Sequence, residues 1–191
     1  MGAIDDAPLL TRHRITVADY YRMGEAGIFA PNARVELIEG EVIDMAPIGS
    51  KHGSAVKRLV ALLTAALGPR AIVSVQDPLR LSDLSEPEPD LMLLRPRDDF
   101  YAGAHPSAAD VLLLIEVADT SARYDREIKL PLYARHGVPE VWIVDLDAHL
   151  LRFFRSPVGE SYADTRTSAN PGATSIGAFV GVSIDFTPIF G

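Results

Sequence analysis

Glu116 interrupts VLLLIEV, residues Val111 to Val117, the most apolar run of the chain. Burying an unpaired carboxylate costs on the order of several kcal/mol, so such a residue is paired, protonated or holding a cation. Asp90 raises the same question at the head of LMLL, another short apolar segment. Counted with the two-residue period of a strand, Glu36 shares a face with Ile38 and Val42. Three carboxylates from three strands thus point at or near a core. Taken singly, each reads as a strand-end acid, solvated or paired with one of the 15 arginines. Taken together, with no cysteine and no histidines at metal-binding spacing, they form an all-oxygen set. Such a set suits Mg²⁺ or Mn²⁺ rather than zinc.

Lysine usage adds a second signal, because only Lys51, Lys57 and Lys129 accompany those arginines. Lys57 belongs to the solvated side of a helix. Lys129 follows Glu116 by 13 residues, where the chain turns back over its strand. A flexible ammonium there reaches a metal-bound water or a phosphate as a point charge, which a planar guanidinium does less easily. The plain alternative is a surface lysine beside Glu127. His52 likewise either orients water or contacts phosphate, or is an ordinary histidine at a helix start.

The elements that must position these groups follow from apolar spacing and punctuation. Thr16 to Gly24 opens on a threonine N-cap and closes on glycine, a short helix. Arg34 to Met45 reads as two extended arms about Glu39-Gly40. Ser50 to Leu67 carries Val56, Leu59, Val60, Leu63, Ala66 and Leu67 at helical spacing, and Gly68-Pro69 stops it. Ala71 to Leu81 and Pro89 to Leu94 are strand-like, separated by the acidic turn SDLSEPEP. Val111 to Val117 has the continuous apolarity of a strand buried on both faces. A helix starting at about Leu130-Pro131, where proline suits the first position, runs to Gly137. Glu140 to Asp145 is a further buried strand, and Arg152 to Arg155 and Ala178 to Phe186 are closing strands. The order predicts a mixed α/β sheet flanked by helices.

Composition bounds the rest. The 191 residues predict one domain, with a core over about 15–155 and C-terminal strands over 150–190. A hydrophobic share of 48% against 23% charged excludes wholesale disorder. Absence of cysteine excludes a disulfide scaffold, a thiolate zinc site and a cysteine nucleophile. No apolar run reaches membrane-spanning length, and the N-terminal MGAIDDAPLL lacks the apolar core of a signal peptide. The expectation is a cytoplasmic protein with no membrane partner. A net charge of −8 opposes bulk electrostatic binding to nucleic acid unless arginines gather locally. Arg123, Arg126, Arg135, Arg152 and Arg155 all fall near or after the proposed site, so a local basic rim is open to them, which sequence alone does not show.

RVELIEGEV, then His52 opening a helix, then EPDLMLL, then LLLIEVADTSARYDREIKLPLYARHGVPEVWIVD, in this order, resemble the Uma-two family. That family is a restriction-endonuclease-like domain of the PD-(D/E)XK nuclease superfamily, and the resemblance runs over about residues 15 to 155. It implies that Asp90, after Pro89, is a metal ligand and that Glu116 is the acid of the second half-motif. It further implies that the Val117 carbonyl completes the coordination, with Glu36 and His52 lining the same cleft. The superfamily's lysine falls two residues after the acid, where this chain has Ala118. The family pattern displaces it to the following helix, where Lys129 stands.

The function implied is a metal-dependent endonuclease that hydrolyses phosphodiester bonds, with DNA as partner and a symmetric homodimer for cutting two strands. The alternative is a non-catalytic homodimeric interaction protein on the same scaffold, pairing through EVWIVD, LLRFF and the C-terminal FVGVSIDFTPIF. The two part over metal, which only the first requires. No nucleophile elbow, P-loop or dinucleotide fingerprint supports another enzyme class.

Overall fold

Each long element stands where its apolar spacing requires. A computed structural model describes residues 12–119, 121–169 and 171–190; the reading of MGAIDDAPLL lies outside them. Helix α1 (Val17–Glu25) is capped by Thr16, whose hydroxyl accepts from the Asp19 amide while the Asp19 carboxylate accepts from the Thr16 amide. This is the reciprocal capping box. Strands β1 (Val35–Ile38) and β2 (Glu41–Asp44) form the expected hairpin. Its two turn residues, Glu39 and Gly40, have φ of 50° and 80°, the conformation a two-residue turn demands. Gly40 is also sterically fixed, since a Cβ there would lie 2.6 Å from the Arg14 Cβ.

Helix α2 (Ser50–Leu67) has the predicted bounds. The central sheet follows in the order β3-β4-β5-β6-β7-β8, antiparallel except for the parallel pair β5/β6. Its strands are β3 (Ile72–Val75), β4 (Leu91–Leu94), β5 (Val111–Ala118), β6 (Glu140–Asp145), β7 (Leu150–Val158) and β8 (Ser161–Ser168). Strand alternation divides the core. Leu91, Leu93, Leu113, Ile115, Val117, Trp142 and Val144 face α2, meeting Leu59, Leu63 and Leu67. Met92, Leu94, Val111, Leu114 and Val141 face the crossover helix and meet Tyr133 and Ala134. Each fully buried leucine contributes about 1.5–3 kcal/mol.

Four expectations require correction. The strand predicted over Ala71 to Leu81 ends at Val75. Gln76 turns left-handed at φ 52°, and Pro78 offers no amide for a ladder. The crossover helix starts eight residues before Leu130, as α3 (Ala122–Tyr124), a π-helical turn (Asp125–Lys129) and α4 (Leu130–Arg135). In the π turn the Leu130 amide reaches the Asp125 carbonyl, five residues back. That wider turn lets Pro131, which lacks an amide, follow a helix that is already under way. Strand β8 was not expected at all, because SYADTRTS is polar and mostly exposed, with little apolar alternation to reveal it. The closing strand over Ala178 to Phe186 shrinks to β10 (Ser183–Asp185), paired with β9 (Ala173–Ser175) outside the main sheet. Phe179, Ile184 and Phe186 of that segment serve as core and close the α2 side, while Val180 stands exposed.

The parallel crossover carries the consequence for function. Glu116 shares the parity of Leu114, so it faces the helix that returns over the sheet. Among the described residues no helix is long and apolar enough to cross a membrane.

Candidate active site

Asp90 closes the irregular segment before β4, and Glu116 lies near the end of β5, so register brings them side by side. The Asp90 amide donates to Glu116 Oε2 at 3.3 Å, and the Val117 amide donates to Asp90 Oδ2 at 2.9 Å. In an extended strand a residue's amide and carbonyl point the same way, so the Val117 carbonyl turns to this side too. His52 Nε2 lies 3.0 Å from Asp90 Oδ2, and because a carboxylate only accepts, that nitrogen carries the proton. Gln76 Nε2 donates to Asp90 Oδ1 at 3.3 Å.

Glu36 arrives from the hairpin. Leu37 and Glu86 exchange backbone hydrogen bonds, which pins β1 against the segment leading to Asp90. Glu36 Oε2 accepts the Glu88 amide at 3.1 Å. Glu36 lies opposite Ile43, whereas Val42 lies opposite Leu37. The shared face predicted for Glu36 and Val42 is therefore wrong, since the two-residue turn shifts parity between the arms.

Lys129 Nζ sits 3.1 Å from Glu36 Oε2 and 3.3 Å from Glu116 Oε1. It is buried, at 4% exposure, which excludes the surface-lysine alternative. Burial opposes its charge, but Glu116, Glu36 and Asp125 together raise its pKa and hold it protonated. Glu116 moves up as well: desolvation dominates and the neighbouring acids Asp125 and Asp90 add to it, outweighing Lys129 and the Tyr133 hydroxyl. Asp90 moves down, because its bonds to His52, Val117 and Gln76 overcome the cost of burial. His52 is raised by its bond to Asp90 against its own burial.

All six sequence-predicted residues, Asp90, Glu116, Lys129, Glu36, His52 and Val117, line one cleft of about 460 Å³. Several of their neighbours went unread in the sequence. Tyr133, fully buried, donates to Glu116 Oε1 at 2.6 Å, and the Tyr124 hydroxyl reaches Glu36 Oε1 at 3.4 Å. Asp125, buried and raised in pKa by desolvation, accepts from the Ser121 hydroxyl at 2.7 Å. A signal for them existed: Ser121, Asp125, Lys129 and Tyr133 recur every four residues, one polar stripe on a helix.

None of the five arginines lines the cleft, and four of them are engaged elsewhere. Arg123 pairs with Glu127, Arg135 with Glu39 and Glu160, Arg152 with Asp145, and Arg155 with Glu140. Arg126 has no ion pair among the described residues.

The donor set can be tested for a hard cation from these contacts. Among the described residues no group of three or more His, Asp or Glu side chains converges on one metal position. Two carboxylate oxygens, Asp90 Oδ1 and Glu116 Oε2, each carry one long bond at 3.3 Å. Together with the Val117 carbonyl they fit Mg²⁺ or Mn²⁺, which bind through one or two carboxylates and leave positions for water and phosphate. They suit zinc less, since its sites favour histidine nitrogen and cysteine sulfur.

The Uma2 (Uma-two) family model, described as a putative restriction endonuclease, matches residues 17–187. The chain belongs to the Uma2 family. A solved structure of a putative nuclease belonging to DUF820, from Anabaena variabilis, superposes with a TM-score of 0.69. It is 16% identical and the alignment covers 92% of this chain and 97% of that one, so the Uma2 member shares its fold. No curated protein matches the chain.

Proposed function

We propose that the chain is a metal-dependent nuclease that hydrolyses phosphodiester bonds, with DNA as its substrate. The observation that carries the reading is the meeting of Asp90 and Glu116 at one cleft with the buried ammonium of Lys129. Asp90, Glu116 and the Val117 carbonyl would hold Mg²⁺ or Mn²⁺, which when bound polarises a phosphoryl oxygen and lowers the pKa of a coordinated water. Lys129, charged and fixed between two carboxylates, offsets negative charge that develops on the phosphoryl group. His52 and the Val117 amide orient the Asp90 carboxylate, while Tyr133 and Lys129 fix Glu116 through Oε1 and leave Oε2 toward Asp90. The family membership and the nuclease fold support the same reading.

The interaction-scaffold alternative keeps only part of its surface: Val180 is exposed, and Phe154 and Phe190 are half-buried. Every residue of β6 is buried within the sheet, and Phe153, Phe179 and Phe186 belong to the core.

Calorimetric titration with Mg²⁺ and with Mn²⁺, on wild type and Asp90→Ala, tests the site. The expected result is stoichiometric binding lost in the variant, followed by cleavage of DNA that Lys129→Ala abolishes. No metal uptake by the wild type, alone or with DNA added, would overturn the reading.

A further inference from the structure

Beside the carboxylate cleft lies a second concavity that the hydrolytic reading does not use. It is a groove of about 390 Å³ between the first half of α2 and the end of β3, walled by Ile48, Val56, Val60 and Val75. His52 and Ile48 line both hollows, so the groove adjoins the cleft. Ile48 and Val75 leave 46% and 37% of their surface in water. Gln76, left-handed at φ 52°, lines the groove while its amide holds Asp90.

Two further observations mark the groove as a place for a ligand. Gly53 occupies a helical position in α2 where its backbone has no need of glycine, and a Cβ would rest 3.5 Å from Ile48, an ordinary contact. Glycine in a helix costs up to about 1 kcal/mol relative to alanine, and here it leaves space in the groove wall beside Ile48. Lys57 stands exposed at the groove, and it is the one lysine without an ion pair among the described residues, since Lys51 and Lys129 are both engaged. An apolar slot with a free cation at its rim, contiguous with a phosphodiester site, complements one nucleotide: a base inside and a phosphate outside.

We propose that this groove is a nucleobase subsite, holding one unpaired base next to the cleaved phosphodiester, with Lys57 on the adjoining phosphate. The proposal rests on the nuclease reading of the cleft and narrows its substrate to a strand that is single or locally opened. Apolar contact with a base face is tolerant of sequence, so the subsite selects for an unpaired base rather than for its identity.

The test measures binding as well as cleavage. A fluorescein-labelled single-stranded deoxyoligonucleotide is titrated onto the full chain carrying Asp90→Asn, and a set of abasic probes moves one missing base along the strand. The expected result is about a tenfold loss of affinity for one abasic position, the scale of burying one base face against apolar side chains, the same loss on Gly53→Leu with the intact strand, and no further loss when the two are combined. Lys57→Ala weakens binding and flattens its salt dependence, a check independent of how well the leucine is accommodated. Equal binding of all probes, by protein with and without Gly53→Leu, overturns the subsite while wild-type cleavage with Mg²⁺ or Mn²⁺ keeps the nuclease reading. Base-dependent binding without wild-type cleavage keeps the subsite and overturns the hydrolysis. Absence of both overturns both.

Discussion

Glu116 and Glu140 sit on neighbouring parallel strands, each 3% exposed, yet their surroundings oppose one another. Glu140 has every need met. Trp142 Nε1 donates at 2.6 Å, Arg155 Nε at 2.7 Å and the Gly177 amide at 2.8 Å, and Arg155 also reaches the Ser175 carbonyl. One guanidinium serves one carboxylate, and together they tie the C-terminal segment to the sheet. No room remains: a Cβ on Gly177 would lie 2.9 Å from Glu140 Oε2. Glu116 shares its ammonium with Glu36, lies near Asp125 and Asp90, and opens onto a cleft. Buried acid by itself therefore says little about chemistry. The number of cations available to it, and the presence of space beside it, separate a structural clamp from a site.

Substitutions should divide along the same line. The largest effect expected is on cleavage, where Glu116→Gln lowers kcat by on the order of a thousandfold. Urea unfolding of the same variant should shift by no more than about 1 kcal/mol, because Lys129 keeps Glu36 and the glutamine keeps the volume. A large loss of stability there would erase the contrast with Glu140. Next comes Arg155→Met, which strands Glu140 in the core and should cost about 3–5 kcal/mol in urea unfolding. Its folded fraction should cut DNA at the wild-type rate per molecule. Tyr133→Phe takes one charge-assisted hydrogen bond from Glu116 and should cost about 1.5–3 kcal/mol. It should also raise the metal concentration needed for half-maximal cleavage, which a purely structural tyrosine would leave alone. The smallest effect belongs to Arg123→Ala at an exposed pair, below about 0.5 kcal/mol by thermal melting.

Glu140 also shows where reading the sequence falls short. It heads a strand, next to Pro139, and nothing in EVWIVD distinguishes it from a solvated end. Its partner Arg155 lies 15 residues on, and nothing in the sequence places that guanidinium against the Glu140 carboxylate. Glu116 was conspicuous because apolar residues surround it in sequence as well as in space. Asp125 and Tyr133 escape notice because a helix starting at about Leu130-Pro131 cuts their four-residue stripe in two. Polar β8 escaped because edge strands need few apolar residues.

The amino-acid order alone determined which segments are helix or strand wherever burial imposes a period: α2, β5 and β6 have the bounds their spacing requires or differ by one residue. It also determined the chemistry on offer, a set of oxygen donors with one lysine and no thiol. The tertiary structure decided how those charges are apportioned. The crossover from β5 to β6 lays Lys129 between Glu36 and Glu116, and the hairpin delivers Glu36 from 80 residues before Glu116. Periodicity is a local property, set by backbone geometry over a few residues. The pairing of buried charges depends on which strands meet, and long-range register alone decides that.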